Sequence, residues 1–214
     1  MIKIEKFTFN TFQENTYIIY DDTKECIIID PGCYEEFEKN ILESFIIKNN
    51  LKPIKLINTH CHIDHVLGNY FVTKKWNLNL EINQLDLPLL NNVKNYSGLY
   101  GFDNYEESPH PTKFLNENDL ITFGNSELEI FHTPGHAPGH IALFNKKEKL
   151  IVSGDVLFQN SIGRTDLPGG DYNTLINSIK EKLLKLEEDV IVYCGHGPNT
   201  TIGFEKINNP FLQD

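Results

Sequence analysis

The chain has 214 residues, of which 40% are hydrophobic and 23% are charged, a composition typical of one globular domain. Its formal net charge of −11 argues against a dedicated nucleic-acid-binding protein, because such proteins need basic surface to release counterions from phosphates. No apolar run has the length of a membrane span and no signal-type segment follows Met1, so we expect a cytoplasmic protein with no membrane partner.

The N-terminal half alternates strands with helices. Apolar spacing of three and four residues predicts helices over 34–50 and 66–76. Short apolar or alternating runs predict strands, and these are residues 2–9, 15–20, 25–30, 54–58 and 78–82.

Residues 83–118 are the least regular part of the sequence. A helical turn is expected near 85–90, after which the pattern dissolves among glycines, asparagines and prolines. Long irregular stretches in compact domains are usually functional or disordered. The aromatic residues there fit a flap over a pocket or rings that anchor the loop to the core, and they are Tyr96, Tyr100, Phe102 and Tyr105.

The C-terminal half is rich in short strands, and no repeat or linker divides it from the rest. Helices are predicted over 171–186 and 200–207. Strands are predicted over 119–123, 127–132, 140–144, 149–153 and 190–194. We therefore predict a single α+β domain over residues 1–214, with two sheets packed together and helices outside.

A metal-binding motif follows the strand at 54–58. Its four potential ligands are His60, His62, Asp64 and His65. His60 and His62 alternate at the end of the strand, whereas Asp64 and His65 lie where the next helix starts, so one loop can serve two ions. Imidazole with carboxylate suits zinc, iron, cobalt, nickel or manganese rather than magnesium or calcium.

Three more apolar strands end in a single donor among glycines. These donors are His136, Asp155 and His196. Strand ends are rigid, and glycine lets the backbone approach an ion closely. Together with the first loop they make seven ligands, the number that suits two divalent cations, with zinc favoured and iron or manganese also suitable, sharing one bridging carboxylate.

Over essentially its whole length the chain resembles the metallo-β-lactamase-fold hydrolases, and within them the short, single-domain form of the glyoxalase II (hydroxyacylglutathione hydrolase) branch. The resemblance rests on Thr-His-Cys-His-Ile-Asp-His (59–65), Thr-Pro-Gly-His-Ala-Pro-Gly-His (133–140), Ser-Gly-Asp-Val-Leu-Phe (153–158) and Gly-Arg-Thr-Asp (163–166). It implies an αββα sandwich. It also implies that His60, His62 and His136 hold one metal. The second metal would be held by Asp64, His65 and His196, with Asp155 bridging both.

The resemblance implies hydrolysis of a small-molecule thioester by a metal-bridging hydroxide. Asp64 is the candidate to orient the attacking water or take its proton. The alternatives are a mononuclear-iron persulfide dioxygenase and a lactonase or esterase of the same fold. A β-lactamase is less favoured because no export signal is evident.

Other residues are weaker candidates for roles around the site. Arg164 can bind a substrate carboxylate or pair with Asp166 and brace its loop, and bracing is slightly favoured. Asp30 and His140 are candidates for supporting the ligands by hydrogen bonding. Substrate recognition is expected from loops 91–111 and 158–170, which makes Tyr100 and Phe158 candidate substrate contacts.

Overall fold

Two six-stranded mixed sheets with helices form the fold, which a computed structural model describes for residues 1–213. The predicted α+β class is confirmed. The chain divides into two compact units, one of residues 1–115 with 122–127 and the other of residues 116–121 with 128 onward. The single domain predicted over 1–214 stays a prediction.

The first sheet changes from antiparallel to parallel along its order β1-β2-β3-β4-β5-β6. Short turns join its first three strands, whereas helical crossovers join the parallel ones. The strands are β1 (Lys3–Phe9), β2 (Glu14–Tyr20), β3 (Glu25–Ile29), β4 (Lys52–Ile57), β5 (Leu80–Ile82) and β6 (Lys113–Phe114). The helices are α1 (Glu36–Lys48), α2 (Ile63–Val66), α3 (Asn69–Trp76) and α4 (Leu87–Tyr96), with 3₁₀ turns at Gln84–Asp86 and Ser97–Tyr100.

The remaining strands make the second sheet and a separate two-stranded hairpin. They are β7 (Leu120–Phe123), β8 (Ser126–His132), β9 (Ile141–Asn145), β10 (Leu150–Gly154), β11 (Leu157–Phe158), β12 (Ser161–Ile162), β13 (Ile191–Cys194) and β14 (Thr200–Thr201). The sheet has the order β14-β13-β10-β9-β8-β7, and β11 pairs with β12. The helices are α5 (Tyr172–Glu181) and α6 (Ile202–Asn208), with a 3₁₀ turn at Leu183–Lys185.

Each unit has its own apolar core. In the first, β2, β3 and α1 contribute fully buried side chains such as Ile18, Ile28 and Leu42. In the second, every residue of β9 and β10 is buried, and α5 packs Leu175 and Ile179 into the core. Among the described residues, no helix is both long and apolar enough to cross a membrane.

The structure corrects two of the predicted helices. The helix predicted over 66–76 is broken at Gly68 into α2 and α3. A Cβ at Gly68 would lie only 2.5 Å from Cys33 Sγ and 2.7 Å from Pro31 O, so the chain needs glycine there. The helix predicted over 171–186 is α only to Glu181 and then tightens into the 3₁₀ turn.

The segment 83–118 is more regular than the sequence predicted. Helix α4 occupies ten of its residues because Pro88 suits the first helical turn, and Leu90 and Val93 are buried at three-residue spacing. Its role as a flap stays a prediction.

Candidate metal centre

The first unit carries four of the predicted ligands on and just after loop 58–62. His60 and His62 lie in the loop between β4 and α2, and Asp64 and His65 lie in α2. The His60 ring centroid is 4.8 Å from that of His62 and 4.1 Å from that of His65. Asp64 Oδ2 is 3.7 Å from His65 Nε2.

Backbone hydrogen bonds to three separate elements fix the path of this loop. The acceptors come from the end of β3, from β5 and from the 3₁₀ turn that precedes α4, so the loop is held on several sides. The bonds run from Thr59 N to Asp30 Oδ1 (2.7 Å), from Asn58 N to Glu81 O (3.2 Å) and from Cys61 N to Asp86 Oδ2 (2.9 Å).

Hydrogen bonds also select the tautomers of His60 and His65. Thr59 Oγ1 donates its one proton to Asp30 Oδ2 at 2.5 Å, so it accepts from His60 Nδ1 at 3.1 Å. His65 Nδ1 lies 3.2 Å from Asp30 Oδ2 and donates to that oxygen. In both rings Nε2 therefore keeps its lone pair for a cation. One ligand atom each from Asp30, His60 and His65 lies within 4.8 Å of the others, and such a cluster can bind a metal ion.

Asp30 is the hub of these contacts. It follows β3 with a left-handed φ of 49°, which Asp tolerates better than most residues. Both carboxylate oxygens accept hydrogen bonds from the loop 58–62 side chains and backbone. The supporting role that the sequence analysis considered for Asp30 stays a prediction.

Two buried carboxyl groups beside the loop were missed by the sequence analysis. Glu14 Oε1 lies 3.8 Å from His65 Nδ1, and burial raises the pKa of Glu14 well above its ordinary value. Asp86 is fully buried and accepts from the Cys61 N–H. The sequence offered one weak signal for each of them. Glu14 is an acidic residue at the start of an apolar strand, and Asp86 is an acidic residue in a helical turn.

In the second unit, Asp155 lies between two imidazoles. Its Oδ2 is 3.5 Å from His136 Nε2 and 3.4 Å from His196 Nε2. Carboxylate oxygens and imidazole nitrogens are both ligands of transition-metal ions, and the bridging role of Asp155 stays a prediction. The donor types in both units therefore fit divalent transition-metal ions.

His136 owes its orientation to the backbone of the Gly-Arg-Thr-Asp motif. Its Nδ1 donates to Arg164 O at 2.7 Å, and because a carbonyl only accepts, Nε2 keeps its lone pair. The preceding Gly163 lies so near that a Cβ there would be 1.9 Å from Asp155 O. The motif thus fits closely around Asp155.

His140 contacts Asp155 through the backbone. Its Nε2 accepts the Asp155 N–H at 3.0 Å, so its Nδ1 carries the proton and donates to Thr133 Oγ1 at 3.0 Å. The lone pair of Nε2 is therefore already used. His140 positions the ligand and is not itself available to a cation.

The candidate substrate residues are placed as follows. Arg164 donates two hydrogen bonds of 2.7 Å to Asp166, so the bracing interaction is present, and it lowers the pKa of Asp166 to about 2. The Phe158 ring centroid lies 6.1 Å from that of His196. Tyr100 is an exposed residue of the 3₁₀ turn after α4.

The cysteines have no chemical role that the structure supports. All four are buried, which confirms Cys26 and Cys194 as core residues. Burial raises the pKa of Cys61 well above its ordinary value, so its thiol stays protonated.

The sequence of the chain is similar to the sequences of known proteins. A family model described as the metallo-beta-lactamase superfamily matches residues 9–196. Hydroxyacylglutathione hydrolase GloC of Haemophilus influenzae is 40% identical to the chain, and the alignment covers 99% of the chain and 98% of that protein.

Two solved structures are also similar over nearly the whole chain. The BLEG-1 B3 metallo-beta-lactamase is 36% identical with a TM-score of 0.87, covering 99% of this chain and all of that one. TTHA1623 in a di-iron-bound form is likewise 36% identical with a TM-score of 0.87, covering 97% of this chain and all of that one.

Proposed function

The chain belongs to the metallo-β-lactamase superfamily and is a metallo-hydrolase of it, and we propose that it hydrolyses thioesters of the S-2-hydroxyacylglutathione type. The observation that carries this proposal is the 40% identity, at almost full coverage, to a hydroxyacylglutathione hydrolase. The chain has the ligand types that such an enzyme needs.

We propose that the chain holds two divalent cations. His60, His62 and His136 would hold one, Asp64, His65 and His196 would hold the other, and Asp155 would bridge them. The tautomers support this set, since Nδ1 of His60, His65 and His136 each donates to the protein. Zinc is the cation that we propose, and iron is the alternative because a relative binds two irons.

Cations bound there supply Lewis acidity, which lowers the pKa of a water and polarises a carbonyl. Water is the nucleophile: it attacks the thioester carbonyl carbon, the C–S bond breaks, and a 2-hydroxy acid and a thiol result. Asp64 would orient the water and take its proton on a carboxylate oxygen. Asp30 would keep the imidazole of His65 in place meanwhile.

Phe158 and Tyr100 are better proposals for substrate contact than Arg164. The guanidinium of Arg164 already binds Asp166 through two hydrogen bonds, and a substrate carboxylate would have to displace that partner. Aromatic side chains can contact a substrate without giving up an ion pair.

The test is metal analysis of the purified protein together with release of glutathione from S-D-lactoylglutathione. We expect two metals per chain and turnover. We also expect Asp64→Asn to lose at least 100-fold in kcat, as loss of a general base usually does. His110→Ala is the matched control, since His110 is exposed on an irregular segment, and it should behave like the wild type.

Two other outcomes would replace the proposal. One iron per chain with oxygen uptake on glutathione persulfide, and no thioester cleavage, would indicate a persulfide dioxygenase. Two metals without thioester cleavage would direct the assay to lactones and β-lactams. The similarity to BLEG-1 favours the β-lactam, for which nitrocefin is the probe.

A further inference from the structure

A group of partly or largely exposed aromatic rings lies in the first unit beside the metal-binding loop. We call Phe12, Tyr96 and Tyr100 the aromatic shelf. The Tyr100 ring centroid is 5.7 Å from that of Phe12 and 5.9 Å from that of Tyr96, both edge to face. The ring centroid of Phe102, which is only 3% exposed, lies 5.9 Å from that of Phe12.

The shelf leaves much apolar surface in water. Phe12 is 40% exposed and Tyr100 is 49% exposed. Single exposed rings are ordinary on protein surfaces, but a contiguous group of rings next to a site is typical of a binding surface.

The turn that carries Phe12 is held rigidly. Asn10 and Gln13 adopt left-handed φ values of 50° and 56°, and Gln13 N donates to Asn10 O at 3.2 Å. The backbone N–H of Asn10 donates to the buried carboxylate of Glu38 at 2.6 Å. Phe12 N donates to Asn10 Oδ1 at 2.9 Å. The ring of Phe12 therefore stands on a turn with little freedom.

The same asparagine joins the shelf to Asp64. Asn10 Nδ2 donates to Asp64 O at 3.0 Å and to Gly32 O at 3.0 Å. A substrate whose carbonyl lies at Asp64 would thus have one arm within reach of these rings.

The chemistry of the shelf indicates whether this arm is the acyl group or the glutathione of the substrate. Its members are two phenols and one phenyl ring, with no cationic side chain among them. Glutathione carries two carboxylates and an ammonium group, and rings without cations compensate those charges poorly. An uncharged, flat acyl group would instead stack on the rings.

We propose that the aromatic shelf binds the acyl arm of the substrate and selects thioesters of aryl-substituted or similarly bulky hydrophobic 2-hydroxy acids. This inference rests on the proposed function, because that function places the scissile carbonyl at Asp64. It adds a substrate class to a general thioesterase activity.

The kinetic test compares S-D-mandeloylglutathione with S-D-lactoylglutathione. Both have the same thiol, and only a phenyl group replaces a methyl group. We expect a higher kcat/KM for the mandeloyl ester, and we expect Phe12→Ala and Tyr100→Ala each to reduce that preference about 2- to 10-fold, the range for one aromatic pair. Phe37→Ala removes another exposed ring of the same unit, 64% exposed on α1, and should leave the preference unchanged.

A second readout does not depend on turnover. Titration calorimetry of the metal-loaded protein with D-mandelate and with D-lactate measures binding of the acyl arm alone. We expect tighter binding of mandelate, by a margin that shrinks in Phe12→Ala and Tyr100→Ala and persists in Phe37→Ala.

The two readouts separate the two proposals. Absence of thioester cleavage, with a mandelate preference that depends on the shelf, would refute the thioesterase and keep the shelf as a site for aryl hydroxy acids. Thioester cleavage with no aryl preference, or with one that Phe12→Ala and Tyr100→Ala do not change, would overturn the shelf and keep the thioesterase.

Discussion

His140 offers a sharp test of how the second unit holds Asp155. Its ring is fully buried and makes two hydrogen bonds, accepting from Asp155 N through Nε2 and donating to Thr133 Oγ1 through Nδ1, each at 3.0 Å. The amide of Gln reaches the place of Nε2, whereas the shorter amide of Asn reaches the place of Nδ1. His140→Gln therefore keeps the bond to Asp155, and His140→Asn keeps the bond to Thr133.

The structure sets the expected difference. In His140→Asn the buried Asp155 N–H loses its acceptor, which costs about 1–3 kcal/mol. In His140→Gln the hydroxyl of Thr133 still donates to His140 O at 3.5 Å, so the loss should be smaller. We also expect Asp155 to shift in His140→Asn and the affinity for metal to fall about 10- to 100-fold, as for other groups that orient a ligand.

Urea unfolding of the metal-free proteins measures the first effect, and metal retained after dialysis measures the second. His140→Gln should lie closer to the wild type in both. Equal losses in the two variants, or more metal retained by His140→Asn than by His140→Gln, would refute the claim that His140 acts through the Asp155 backbone.

Three further predictions follow from individual contacts. Gly163→Ala should lower the metal content, measured by elemental analysis, because its Cβ would lie 1.9 Å from Asp155 O; unchanged metal would contradict the close fit. Burial alone would raise the pKa of Asp21, but hydrogen bonds from Thr23, Asn125 and Ser126 outweigh it and lower the pKa from 3.8 to about 2. This stabilisation should be complete above pH about 4 and should be lost as the pH falls through about 2. The urea midpoint of Asp21→Asn should therefore fall less steeply with decreasing pH over that window than the urea midpoint of the wild type. Chelation should lower the melting temperature of the holoprotein, because cations that bind only the folded chain at 100 times their Kd stabilise it by about 2.7 kcal/mol; an unchanged melting temperature would count against metal binding.

The sequence predicted correctly that the loop with four donors follows a strand, because two local signals coincided there. An apolar strand stops at Ile57 and four donors follow within eight residues, so strand period and donor spacing pointed to one place. Strand ends also indicated His136, Asp155 and His196 as candidate ligands. The boundaries of most of these strands differ from the structure by only one or two residues.

Long-range partners could not be predicted in the same way. Asp86 follows Cys61 by 25 residues, and Glu14 precedes His65 by 51, so nothing in the local pattern links them. Helix α4 was missed after Leu90 because polar residues dominate its exposed face, and burial of Val93 decides its stability. Such contacts become visible only when the chain is folded.

Residues that are not themselves candidate ligands explain why short motifs determine much of the candidate site. Thr59 sets the tautomer of His60, the backbone N–H of Asp155 sets that of His140, and the backbone carbonyl of Arg164 sets that of His136. Each partner is a different chemical group, yet each leaves one defined ring nitrogen with a lone pair. That nitrogen faces a proposed cation in His60 and His136, and a backbone N–H in His140. Two histidines four residues apart in one motif thus have the same tautomer, with the proton on Nδ1. The group that the lone pair of Nε2 faces, rather than the residue type, decides whether each ring can bind metal.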